Sequence, residues 1–169
     1  MKQLFAALLE RALRSKIYLH FFNVLIRFYV PFNAPLQLRV KRLSRQQALV
    51  VIPNIRSNHN HLKGTHAGCI VTAGEFAAGL LLLSNFSIEK YRLILSSLAC
   101  DYQFQGKTDL LAYARIDKKI LKDIAVELKA NKPAHVELIS VLRDVNNNEV
   151  AQVRTLWQIK AWDQVKTKA

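Results

Sequence analysis

His66–Phe76, HAGCIVTAGEF, is the start of a long apolar run, and this run indicates the fold. Glu75 is the only Asp, Glu, Lys or Arg between Lys63 and Glu89. The run is too long for a strand and rich in Ala and Leu, so it predicts a helix over 66–83. A helix that is apolar nearly all round is a buried helix. The sequence therefore predicts a central helix that carries one carboxylate into the protein.

Strands surround this helix. Alternating residues in Leu36–Lys41 and the apolar run Ala48–Ile52 predict a hairpin before it. Four strands and a small helix, with Asp117 as its N-cap, are predicted after it, at 98–104, 110–116, 118–130 (the helix), 135–143 and 149–162. A single buried helix followed by an antiparallel meander predicts an α+β fold, with one sheet wrapped around one long helix.

The N-terminal residues form an additional segment. Leu4, Leu8 and Leu9, and later Phe22 and Ile26, recur at helical spacing, which predicts one bent helix or two. We expect residues 1–31 to be a basic amphipathic helical segment and residues 32–169 to be a single domain. The apolar face of the segment could pack on that domain, which is the favoured interpretation, or contact a membrane surface through residues 1–30.

Positive charge restricts the class of partner. The chain has 25 Lys and Arg against 12 Asp and Glu, and residues 1–47 contain nine basic residues but one acid, Glu10. Such a surface attracts nucleic acid, anionic lipid, phosphorylated small molecules or an acidic protein. The sequence has no aromatic-basic motif typical of nucleic-acid modules, so no nucleic-acid partner is expected.

Cysteine and histidine usage predicts a cytoplasmic protein without a metal. Cys69 and Cys100 both lie in apolar runs, as reduced buried thiols do. His59, His61 and His66 could bind a metal ion, but no cluster of Cys or Asp supports them, so neither a metal nor a cofactor is expected. The chain shows no signal peptide and no membrane span, because a central Glu opposes insertion of residues 67–86.

The residues around the helix start resemble a known family. Asn60, Gly64 and His66, in NHLKGTHAG followed by TAGE, resemble the motif of hot-dog fold thioesterases of the phenylacetate-pathway type and of related small uncharacterised hot-dog proteins. In those proteins a His-Gly-Gly sequence precedes an Asp or Glu by nine residues, as His66 precedes Glu75 here, and Asn or Gln often stands six residues before the His. The resemblance covers residues 32–162 and implies the hot-dog fold.

Two positions depart from that motif. Ala67 replaces the first Gly of His-Gly-Gly, although the relevant donor is a backbone N–H, which Ala retains. The gap between Asn60 and Gly64 is one residue longer than the motif, so Asn58 or His61 could occupy the position assigned to Asn60.

The resemblance also implies an activity and a site. It implies a homodimer, or a dimer of dimers, that hydrolyses acyl-CoA or acyl carrier protein thioesters. Glu75 would be the general base on water, less favourably the nucleophile, and Asn60 would orient the water or the carboxylate. The N–H of Ala67 or Gly68 at the helix start would donate to the oxyanion, and His66 would hold the loop. On one helix these groups are too far apart, so Glu75 would serve the other subunit.

Several alternatives remain at this point. Glu75 could be a buried acid paired with Arg or Lys and purely structural. The protein could be a non-catalytic hot-dog module that binds an acyl group or a lipid. The row Leu80–Leu83 could be core or the wall of an acyl tunnel.

Overall fold

The computed structural model describes residues 2–165, except for the side chain of Lys2. Helix α1 spans Lys2–Ala12 and helix α2 spans Lys16–Tyr29, so the N-terminal segment forms two helices. Both contribute buried side chains, Phe5 and Phe22 among them, to the same core as the sheet. The expectation that the segment packs on its own domain is confirmed. The domain boundary at residue 31 stays a prediction.

A single antiparallel sheet forms the body of the protein. Within residues 2–165 its strands are β1 (Arg39–Leu43), β2 (Gln47–Ile52), β3 (Tyr91–Tyr102), β4 (Leu110–Arg115), β5 (Ala134–Arg143) and β6 (Glu149–Ala161). Their order is β1-β2-β4-β5-β6-β3, and every neighbouring pair is antiparallel. The predicted α+β architecture, six strands with one long helix inserted after the second, is confirmed.

The first strand begins later than its alternating pattern predicts. Gln37 adopts a positive φ of 51°, which interrupts the extended chain between Leu36 and Leu38. A bulge between Val40 and Arg42 then allows Leu43 to be buried as well. Alternation alone does not reveal either irregularity, so the predicted strand at 36–41 was placed too early.

The predicted strand at 98–104 was also misplaced. β3 begins at Tyr91, opposite Ala161 of β6, and ends at Tyr102. Its residues Leu98 and Tyr102 are substantially exposed. Their apolar character predicted burial, but β3 is the edge strand of the sheet and a single chain covers these side chains only in part.

The long helix α3, Ala67–Leu83, lies on one face of the sheet. Gly74 sets how closely it packs, because a Cβ at that position would lie 2.6 Å from Cβ and Cγ2 of Val153 on β6. The buried hydroxyl of Ser140 on β5 donates to the Gly74 carbonyl oxygen at 2.7 Å. These contacts fix the position of Glu75, the next residue, above the sheet.

The small helix α4, Lys118–Lys129, packs against β5 through Ile124 and Leu128. Asp117 occupies its N-cap position as predicted, but its side chain makes no capping hydrogen bond. Among the described helices, none combines the length and apolar character needed to cross a bilayer.

The two edges of the sheet differ. At β1, the side-chain amide of Asn23 on α2 imitates a neighbouring strand, since its Nδ2 donates to the Val40 carbonyl oxygen at 2.9 Å and its Oδ1 accepts from the Val40 N–H at 2.7 Å. At the other edge, β3 pairs only with β6 in the described part of the chain. One edge is therefore blocked by the protein itself and the other is open to pairing.

Candidate active site

A groove of about 640 Å³ runs along α3 and is lined mostly by apolar side chains. The α3 residues that line it recur at helical spacing and form one stripe, namely Val71, Thr72, Glu75, Phe76, Gly79, Leu80 and Leu83. We call this space the Glu75 groove. Leu80 and Leu83 belong to its wall, whereas Leu81 and Leu82 are fully buried core residues. The core interpretation is therefore confirmed for Leu80, Leu81 and Leu82, whereas the acyl-tunnel role of the groove wall stays a prediction.

The N-terminal helices provide one wall of the Glu75 groove. Phe5 of α1 and Ile26 and Tyr29 of α2 line it, followed by Phe32 just beyond α2. The rings of Phe5 and Tyr29 are stacked with centroids 4.4 Å apart, which fixes α1 against α2. The basic N-terminal segment is thus part of the site as well as of the core.

The sheet provides the opposite wall. Trp157 of β6 and Arg92, Leu95 and Leu98 of β3 line the groove. The ring of Trp157 approaches α3 at Gly79, where a Cβ would lie 3.2 Å from its Cη2 and 3.8 Å from a carboxylate oxygen of Glu75. Gly79 thereby keeps open the space between the indole ring and the carboxylate.

Glu75 is the acidic side chain that lines this groove in the described part of the chain. No hydrogen bond or ion pair to its carboxylate is found among residues 2–165. Burial without a compensating partner raises the pKa of Glu75 above its ordinary value, because the charged form is poorly solvated there. The alternative was that Glu75 forms a structural ion pair with Arg or Lys, and no such partner of Glu75 is found within residues 2–165.

The start of α3 presents backbone donors outside the groove. His66 is the N-cap, and its Nδ1 accepts a hydrogen bond from the Gly68 N–H at 3.0 Å. No partner of the Ala67 N–H is found within residues 2–165. His66, Ala67 and Gly68 are exposed, and the Tyr102 hydroxyl of β3 donates to the Ala67 carbonyl oxygen at 3.2 Å. Of the two predicted oxyanion donors, Ala67 is the one with a free N–H.

The asparagines before α3 shape the loop. Asn60 Oδ1 accepts from the N–H groups of Leu62 and Gly64, at 2.9 and 3.1 Å, and so closes a turn. Asn58 is buried and its Nδ2 donates to the carbonyl oxygens of Leu36 and Pro53. His61, the third possibility for that position, is exposed. None of the three lines the Glu75 groove.

The predicted site residues fall into two groups in one chain. Glu75 lies in the groove, while Asn60, His66, Ala67 and Gly68 lie at the N-terminal end of α3. Eight residues separate Ala67 from Glu75, about 12 Å along a helix. One chain therefore does not bring donor and acid together, and the catalytic roles of these residues stay predictions. Among residues 2–165 no cluster of three His, Cys, Asp or Glu could hold a metal ion.

Two walls of the groove were not predicted from the sequence. For Trp157 a signal was available, because alternate residues of β6 from Val153 to Ile159 are buried, and that alternation places the indole on the helix side. For Phe5 and Tyr29 there was no such signal, since the apolar face of an amphipathic helix does not indicate which surface it covers.

Comparison with known families identifies the family of this chain. A family model described as a domain of unknown function, DUF4442, matches residues 20–159, and the chain belongs to that family. No curated protein shows a significant match.

Solved structures share the fold. A protein of unknown function from Pseudomonas aeruginosa, described as a probable thioesterase, superposes with a TM-score of 0.74 at 23% identity over 80% of this chain and 90% of its own. A thioesterase from Haemophilus influenzae gives 0.60 at 10% identity over 77% and 82%, respectively. A mutant thioesterase from Staphylococcus aureus gives 0.63 at 11% over 77% and 98%. The predicted hot-dog fold is confirmed.

Proposed function

We propose that this member of the DUF4442 family is a thioester hydrolase that acts on acyl-CoA or acyl carrier protein, with Glu75 as its general base. The observation that carries the proposal is a carboxylate that has no polar partner within residues 2–165 and lies in an apolar groove of about 640 Å³. Apolar walls suit an acyl chain, and a desolvated carboxylate suits proton abstraction near neutral pH.

The chemistry needs few groups. Glu75 accepts a proton from water while the water oxygen forms a bond to the thioester carbonyl carbon. The carbonyl oxygen becomes an oxyanion, which a backbone N–H would stabilise. When the intermediate collapses, the C–S bond breaks, and the thiolate leaves and takes up a proton. The products are a carboxylic acid and a thiol. The raised pKa of Glu75 makes its carboxylate a stronger base for the first step.

A homodimer would supply the missing donor. The open edge of β3 and the exposed Ile94, Leu98 and Tyr102 along it are suited to pairing with a second copy. The exposed start of α3 lies beside this edge, through the contact of Tyr102 with Ala67. A second copy placed there would bring its own α3 start near the Glu75 groove, so that its Ala67 N–H could face the thioester oxygen.

The polar part of the substrate fits the charge of the protein. A net charge of +13 attracts both the phosphates of CoA and an acidic carrier protein. Such substrates are cytoplasmic, and the free cysteines Cys69 and Cys100 are compatible with that reducing compartment.

Hydrolysis of an acyl-CoA series from C2 to C18 tests the proposal. We expect release of free CoA by the wild type and a fall in kcat of about 10²–10⁴-fold in Glu75→Gln. Glu127→Gln, an exposed acid on α4, is the matched control and should retain full activity. A Glu75→Gln variant that hydrolyses as fast as the wild type would exclude the mechanism.

A second candidate is a non-catalytic module that binds an acyl group or a lipid. It is favoured by one observation, that the oxyanion donors lie outside the groove in a single chain. For this candidate, a fluorescent fatty acid would bind the wild type and Glu75→Gln alike, and neither would release CoA from any member of the series.

A further inference from the structure

Helix α2 has an apolar face that the fold does not use. Ile17, Phe21, Val24 and Phe28 are 69%, 55%, 48% and 80% exposed. Their spacings of four, three and four residues place them within an arc of about 60° on the helix. The inner face, which carries Phe22 and Ile26, points to the core from roughly the opposite side. We call these four residues the α2 outer stripe.

Basic residues border the stripe on one side. Lys16 and Arg27 lie about 100° round the helix from its centre. Beside Val24 and Arg27 is a depression of about 540 Å³, which Arg39 and Lys41 of β1 also line. Its other polar lining residues are His20, Asn23 and Asp109. The hydrogen bonds between Asn23 and Val40 hold the two elements in register.

This combination is suited to one partner. Aliphatic and aromatic side chains next to Lys and Arg are the pattern of a helix that lies in the interface of a lipid bilayer. We propose that the α2 outer stripe docks onto an anionic lipid bilayer, with Arg27, Arg39 and Lys41 on the lipid phosphates. Ile17 and Val24 offer no ring for base stacking, which disfavours single-stranded nucleic acid. Like charge on both copies disfavours self-association through this face.

Docking in this manner would place the Glu75 groove next to the membrane. Ile26 and Tyr29 on the inner side of α2 line that groove, and Phe32, which is 74% exposed, stands at its rim. An acyl chain could then pass from the bilayer into the groove. This last step depends on the proposed function, whereas the docking surface does not.

Co-sedimentation with vesicles tests the surface. The full chain is mixed with vesicles of phosphatidylcholine alone or with 30% phosphatidylglycerol. We expect binding to the anionic vesicles only, and loss of that binding at 1 M NaCl, where the screening length falls from about 8 to about 3 Å.

Two pairs of variants separate the contributions. Phe21→Ser with Phe28→Ser should weaken binding at least tenfold, and Val126→Ser with Val145→Ser, equally exposed elsewhere, should not. Arg27→Glu with Lys41→Glu should weaken it roughly 30-fold or more, at about fivefold for each basic residue lost. Lys119→Glu with Lys122→Glu on α4 changes the net charge equally and should bind nearly as the wild type does.

Other outcomes would overturn the proposal. One is that the control pairs lose as much vesicle binding as the test pairs, and another is that the protein binds neither kind of vesicle. The proposal also fails if the protein binds a single-stranded RNA and only the charge variants weaken that binding. It fails as well if Phe21→Ser with Phe28→Ser has a smaller mass in solution than the wild type. Hydrolysis of soluble short-chain acyl-CoA should be unchanged in the stripe variants. Vesicle binding should be unchanged in Glu75→Gln, so the two proposals can fail separately.

Discussion

Replacement of Gly74 by Ala tests how closely α3 packs on the sheet. The new Cβ would lie 2.6 Å from Cβ and Cγ2 of Val153, whereas carbon atoms in contact are ordinarily 3.5–4.0 Å apart. The Val153 Cβ is attached directly to the backbone and cannot rotate away, so α3 has to move by about 1 Å. Overpacking of this kind costs about 1–3 kcal/mol.

The gain in helix propensity offsets part of that cost. Ala is favoured over Gly in a helix by about 1 kcal/mol, which leaves a net loss of about 0–2 kcal/mol in the free energy of unfolding. Because the Val153 Cβ cannot rotate away, we expect Gly74→Ala near the upper end of that range. For a chain of this size that lowers Tm by about 5 °C. Since Glu75 is the next residue, the same movement should lower kcat/KM by up to about 10²-fold if Glu75 is the base.

Urea and thermal unfolding measure the effect, and Gly79→Ala is the control. That substitution gives the same propensity gain on the same helix, but its Cβ would come no closer than 3.2 Å to the Trp157 ring and 3.8 Å to a Glu75 carboxylate oxygen. We expect its stability to stay within about 0.5 kcal/mol of the wild type. A Gly74→Ala variant as stable as the wild type would contradict this close packing of α3 on the sheet. An equal loss in the free energy of unfolding for both variants would contradict it too.

Three further predictions follow from burial. Because the pKa of Glu75 is raised, the fold loses stability as the pH rises from the ordinary carboxyl pKa through the raised one. Glu75→Gln should therefore be more stable than the wild type at pH 8 but not at pH 4. Equal urea midpoints of the variant and the wild type at both pH values would contradict this. Phe5→Ala, at a side chain 1% exposed, should cost about 3–5 kcal/mol in urea unfolding, against under about 0.5 for the exposed Leu4→Ala. Burial raises the pKa of both thiols, that of Cys69 to about 11, and Cys100 is the less buried of the two. A thiol reagent at pH 8 should therefore label Cys100 first; faster labelling of Cys69 would show that α3 opens.

Much of the fold was readable from local patterns. The length and Ala-Leu content of residues 67–83 identified α3, and period-two alternation identified most strands, because burial on one face imposes those periods directly. The lone acid in that helix drew attention to Glu75, and the resemblance to hot-dog thioesterases implied its role as general base. The places where prediction failed, at Gln37 and at the ends of β3, are where a local irregularity or a missing neighbour outweighs the pattern.

The surroundings of Glu75 depended on contacts between distant parts of the chain. The sequence alone was enough to predict which helix carries the acid and that this helix is buried, but it left open whether an Arg or Lys pairs with the acid. Only the tertiary structure decided that Phe5, Tyr29 and Trp157 form the walls of one groove, and that Ala67 lies outside it. The physical reason is that the spacing of apolar residues shows which face of an element is buried, whereas the surface that covers this face depends on how the whole chain packs.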